Sequence, residues 1–209
     1  MTAEDVSVDD STKDRRRRRV LAAVVAVVLV LLLVALLPWL FAGPKSTPRA
    51  DAEAGTPTGW SLIVPSLQIN APLRAIETTR GGVLDPPANP HDVGWWAESA
   101  PPGASYGQTI VTGHTVHTGG GQMDHLGEAK VGAQVEIVDK GFTVYYTITK
   151  VFTLSKADVD LRSPELFGQS SPTNRLVLIT CSRWTGHEYL SNVFVYATPT
   201  RTVLSPATS

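Results

Sequence analysis

Three patterns follow one another along the chain. Residues 1–19 are polar and charged, Val20–Ala42 are 23 residues without a charge, and beyond Gly43 apolar and polar positions mix in short stretches. A helix rises about 1.5 Å per residue, so the uncharged run spans roughly 34 Å, enough to cross a hydrocarbon core of about 30 Å. Residues 43–58, rich in Pro, Thr, Ala and Gly, read as a linker. The mixed part then carries short β-rich stretches: Ser61–Val64, Thr109–Val111, Gln134–Val138, Thr143–Val151, Leu176–Thr180 and Val193–Ala197. In Thr143–Val151 the period is two, with Val144, Tyr146, Ile148 and Lys150 facing one way. Asp139-Lys140-Gly141 predicts a hairpin turn. Helical turns are expected only at Gln122–Glu128 and Pro164–Phe167. The pattern is that of an all-β domain, a closed barrel or a sandwich.

Charge orients the first part. Arg15–Arg19 stand directly before the apolar run, and beyond it Lys45 and Arg49 are sparse. Basic residues stay on the cytoplasmic side, so the amino terminus is expected inside and the bulk of the chain outside. The run is too long for a signal-peptide core, and Phe41-Ala42-Gly43-Pro44 makes a poor cleavage site. The expected organisation is a cytoplasmic basic tail (1–19), a single transmembrane anchor (20–42), an extracellular linker (43–58), a folded domain (59–198) and a short C-terminal tail (199–209).

The net charge of −1 excludes bulk electrostatic attraction to nucleic acid. Cys181 is the only cysteine, which excludes an internal disulfide and a multi-cysteine metal site. His114 and His117 have no third ligand at suitable spacing, so no metal is expected and His117 reads as a surface-loop residue. Gly119-Gly120-Gly121 lacks the Lys-Ser/Thr sequel of a phosphate loop and reads as a flexible segment. Asp158, Asp160 and Glu165 read as a solvated acidic loop without an EF-hand pattern.

Cys181 ends the apolar strand Leu176–Thr180, where a side chain can reach a cleft. His114 holds a matching place after Thr109-Ile110-Val111. A thiol outside the cell is a liability unless its reactivity is used. A Cys–His pair can serve as nucleophile and general acid–base in acyl transfer.

With Leu178-Ile179-Thr180-Cys181, Thr112-Gly113-His114-Thr115, Val83-Leu84-Asp85-Pro86-Pro87, Val93-Gly94-Trp95-Trp96 and Asp124-His125-Leu126 before Val131–Val135 in this order, residues 60–197 resemble the sortases, membrane-anchored cysteine transpeptidases of Gram-positive bacteria. The Leu-Asp-Pro-Pro and Gly-Trp-Trp pieces are most similar to the actinobacterial classes E and F. Asn192-Val193-Phe194-Val195 leans towards class F. The resemblance implies an eight-stranded sortase β-barrel with short helices and no cofactor. It implies cleavage of an LPxTG-like sorting signal between Thr and Gly through a thioester. Its implied partners are secreted proteins carrying that signal and an amine on a peptidoglycan precursor. The alternative is a non-catalytic binding protein on a degenerate sortase barrel.

Many sortases carry an arginine at the start of the last strand, where this chain has Asn192. Arg175 stands six residues before the cysteine, roughly 20 Å in extended chain and out of reach. Arg183, two residues beyond Cys181, is within guanidinium reach. The expected site is therefore His114, Cys181 and Arg183, with Asn192 and Thr180 as possible oxyanion or substrate contacts.

Overall fold

The computed structural model describes residues 55–204. The expected span Val20–Ala42 lies outside them, and among the described residues no helix is long and apolar enough to cross a membrane.

Eight strands form the domain: β1 (Thr56–Val64), β2 (Ile69–Ile76), β3 (Val93–Trp96), β4 (Gln108–Gly113), β5 (Gln134–Val138), β6 (Phe142–Ser155), β7 (Arg175–Trp184) and β8 (Tyr189–Leu204). They close in the order β1-β2-β3-β4-β7-β8-β6-β5, with β5 returning to β1. Of the two architectures left open by the pattern, the chain adopts the barrel. Pairs β2–β3 and β4–β7 are parallel and the rest antiparallel. Strand β2, absent from the sequence-based expectation, alternates Ile69, Ala71 and Leu73 inward around an exposed Pro72. Strand β8 runs to Leu204, past the expected domain end at 198, because Thr198–Leu204 pair with the first half of β6.

Two helices follow β6: α1 (Lys156–Leu161), capped by the Ser155 side chain on the Asp158 amide, and α2 (Ser163–Phe167). Within the expected turn at 122–128, only Leu126–Glu128 is helical, a single 3₁₀ turn.

The barrel has two cores. Leu62, Leu73, Val111, Ile137, Tyr146, Leu176, Leu178 and Val195 fill its interior. Ile110, Val177, Ile179, Phe194 and Tyr196 face outward beneath Leu166 of α2, with Leu84, Phe152 and Phe167 packed against them. Strands β7 and β8 are thus buried on both faces. That is why Leu176–Ile179 reads as an unbroken apolar run and not as an alternation.

Candidate functional site

Register and parity place the reactive residues. Thr112 pairs with Ile179 in the parallel β4–β7 ladder. The paired register stops there; Gly113 ends β4, and His114 is the next residue, while β7 continues through Cys181. Cys181 continues the outward parity of Val177 and Ile179 along β7. Across the antiparallel ladder, Cys181 pairs with Asn192, which shares the parity of Phe194 and Tyr196. Strands β7 and β8 therefore bring Cys181 and Asn192 to one face, and His114 directly follows the end of β4, the strand beside β7.

The strand ends are held by local bonds. The Thr180 hydroxyl donates to the Gly113 carbonyl at 2.8 Å and, its proton thus engaged, accepts from Thr115 Oγ1 at 2.7 Å. Thr180 therefore ties β7 to the His114 segment and has no proton left for an oxyanion. A Cβ on Gly113 would lie 2.8 Å from Met123, so only glycine lets β4 end against the returning loop. That loop is ordered by Asp124, whose carboxylate accepts from the amides of Val116 (2.7 Å) and Gly121 (3.0 Å). The glycine run read as flexible is thus a tied turn.

His114 Nε2 lies 2.9 Å from the Pro87 carbonyl. A carbonyl only accepts, so Nε2 carries the proton and the neutral ring keeps its lone pair on Nδ1. Among the described residues no hydrogen bond joins the imidazole to the thiol. Cys181 is half-buried, and Asn192 Nδ2 approaches its Sγ at 3.9 Å while donating to the Thr180 carbonyl at 3.4 Å. Burial pushes the Cys181 thiol above its ordinary pKa, against the opposing pulls of the Lys156 charge and the Asn192 amide.

A groove of about 490 Å³ opens beside the cysteine, within the usual range for small-ligand sites. Thr180, Cys181, Arg183 and Trp184 line it from β7, Tyr189 and Val193 from β8, and Thr115, His117 and Asp124 from the loop after β4. His114 and Asn192 stand off this lining. Arg183 is exposed and holds a left-handed backbone, φ +60°, a conformation that costs a non-glycine residue and clusters at functional sites. Reasoning from sequence missed the Pro87 carbonyl, Asn192 as the cross-strand partner of the thiol, Tyr189, and the stack of His117 on Trp184 at 4.3 Å. Among the described residues no cluster of His, Cys, Asp or Glu is arranged to hold a metal ion.

A family profile described as a sortase domain matches residues 62–200. A comparison with curated proteins finds no match. Among solved structures, sortase E1 from Streptomyces coelicolor, determined with a tripeptide in its active site, aligns with TM-score 0.57 and 18% identity, over 77% of this chain and 97% of that one. Sortase A from Listeria monocytogenes aligns with TM-score 0.55 and 17% identity, over 71% of this chain and 91% of that one. Sortase A from Corynebacterium diphtheriae aligns with TM-score 0.55 and 21% identity, over 81% and 76%. These identities speak to the fold, whereas the profile covers more than half of the chain with a cysteine strand and a histidine strand meeting at one barrel end, and the chain belongs to the sortase family.

Proposed function

We propose that this sortase is a membrane-anchored cysteine transpeptidase of class F type, with its N-terminus inside and its barrel outside the cytoplasm. It cleaves an LPxTG-like sorting signal of secreted proteins between Thr and Gly and passes the acyl group to an amine of a peptidoglycan precursor. The observation that supports this reading is the parallel pairing of β4 with β7: His114 directly follows the end of β4, and Cys181 lies two residues beyond the last paired position of β7.

The thiolate of Cys181 attacks the threonine carbonyl and forms a tetrahedral oxyanion. Protonated His114 gives its Nδ1 proton to the departing glycine amine, the C–N bond breaks, and a thioester remains. The acceptor amine reverses these steps, with water as competitor. Arg183, at the groove rim two residues from the nucleophile, supplies the oxyanion contact, and Asn192 donates to the sulfur.

The test supplies the chain with a fluorogenic LPxTG peptide and an amine. A new amide product, with release of the glycine-side fragment, is expected, and a chain that releases no fragment is not a transpeptidase. In the same assay Arg183→Ala is expected to lower kcat about 10²-fold, the scale of losing one oxyanion donor. A loss under about threefold moves that role to Asn192. One observation favours a second reading, a binding protein on a degenerate barrel: an amide, Asn192, stands opposite the thiol where many sortases have a guanidinium. Absent turnover with retained peptide binding is its signature.

A further inference from the structure

Opposite Cys181, β8 presents an uncharged amide, and a charge stands one strand further on. Cys181 pairs with Asn192, and Asn192 pairs in turn with Leu154 of β6, so the three form one row across the sheet. Neighbouring strands lie about 4.8 Å apart, which sets Leu154 about 10 Å from the cysteine along that row. Phe152 and Leu154 pack against the outer core, the side whose parity Cys181 shares. Ser155 is still extended, φ −66° and ψ 159°, and pairs with Ser191. Lys156, the next residue and the first of α1, therefore continues the alternation of Phe152 and Leu154. Its four-carbon stem has the length to carry a charge back towards the thiol. Burial pushes the Cys181 thiol up, and the Lys156 ammonium is the first pull in the other direction, ahead of the Asn192 amide.

We propose that Lys156 is the electrostatic partner of the Cys181 thiolate, acting from the α1 side while Arg183 serves the oxyanion from the groove. Lys156 is exposed, and among the described residues no ion pair engages its ammonium. The acids of its own helix, Asp158 and Asp160, lie further along α1, and Asp158 accepts from the Ser155 hydroxyl at 2.6 Å. From the groove, His117, Asp124, His125, Arg183 and Tyr189 surround Cys181, and Lys156 is not part of that lining. His114 follows β4, on one side of β7, whereas Lys156 follows β6, beyond β8 on the other side. When the thiol ionises, its proton passes to Nδ1 of His114 and the sulfur keeps the bonding pair. Imidazolium and ammonium then flank the negative sulfur from opposite sides. Local structure gives no reason for a cation here, since a positive charge in the first turn of a helix opposes the backbone dipole.

This assignment rests on Cys181 as the nucleophile of the transpeptidase reading, and alkylation tests it without turnover. The probe is iodoacetamide, which is uncharged, and labelling of Cys181 is followed by mass across pH at low salt. Lys156→Gln is expected to raise the midpoint by about half a pH unit or more, which is about a threefold fall in thiolate below it. Lys156→Glu should move the midpoint about twice as far the same way, and Lys156→Arg should leave it at the parent value. Salt screens an exposed ammonium, so about 0.5 M sodium chloride should close most of the gap between parent and Lys156→Gln. Arg183→Ala should leave the midpoint in place. Melting temperatures should not fall, because Lys156→Gln removes a charge that the helix start disfavours. Midpoints of Lys156→Gln and Lys156→Glu within about 0.2 pH units of the parent overturn the assignment and leave the nucleophile standing. Equal shifts for Lys156→Gln and Lys156→Arg also overturn it, since they report packing and not charge. A shift for Arg183→Ala with none for Lys156→Gln overturns it in favour of Arg183. The expected shifts in a chain that releases no fragment from the LPxTG peptide uphold the pairing and overturn the transpeptidase alone.

Discussion

Cys181→Ala protein forms no transfer product and no acyl-enzyme, while its barrel melts as the parent does. The expected loss is complete because the chain holds one cysteine. The side chain is half-buried within β7, three residues before the strand's end at Trp184, and is not part of the interior core, so trimming it to alanine opens little space. Product above about one thousandth of the parent rate removes Cys181 from the role assigned to it.

The same thiol gives a pH signature. Burial disfavours the charged form of an acid, so its pKa moves up. Below that pKa the thiolate fraction rises about tenfold per pH unit. Alkylation of Cys181 by iodoacetamide, followed by mass, should therefore climb through neutral pH and show no plateau below the ordinary thiol range. A plateau near neutrality would mean that the imidazole already holds the sulfur as an ion pair in the free protein.

Much of this site was legible in the sequence because strand parity is legible. Leu176–Thr180 announces a strand buried on both faces, and a reactive residue at its end must project from one of them. His114 follows from the same reasoning on Thr109–Val111. Strand β2 escaped because Asn70 and Pro72 read as breakers, although Pro72 occupies an exposed position where the missing amide is tolerated. Helix α1 escaped through its brevity, despite the cap signature of Ser155 three residues before Asp158. The later half of β8 has no apolar pattern, since Thr200–Leu204 are all exposed, held to β6 by the ladder, a Thr200 hydroxyl bond to the Tyr145 carbonyl and Arg201 over the Tyr145 ring. The Pro87 contact leaves no trace in sequence for a similar reason: every residue carries a carbonyl, and only the course of the β2–β3 connection brings this one to His114. Asn192 becomes meaningful only through register, once Cys181 is seen to face it across the hairpin.

His114→Ala should lose peptide transfer almost as completely as the cysteine variant, for a reason that a second substrate exposes. Attack on a peptide yields a tetrahedral intermediate with two exits. The thiolate is the better leaving group, so without a proton donor the intermediate collapses back to starting peptide. General-acid catalysis by a positioned side chain is worth about 10²–10⁴-fold, and His114 also receives the thiol proton, so the combined loss lies at or above the upper end of that range. The Pro87 carbonyl supports both forms of the ring. It fixes the neutral tautomer with Nδ1 as base, and it accepts from Nε2 of the imidazolium once Nδ1 is protonated. A p-nitrophenyl ester needs no proton on its leaving group. Acylation of His114→Ala protein by such an ester should thus fall by far less than acylation by the peptide, with the difference measuring the acid role alone. Equal losses with both substrates would confine His114 to ionising the thiol and leave protonation of the amine to another group.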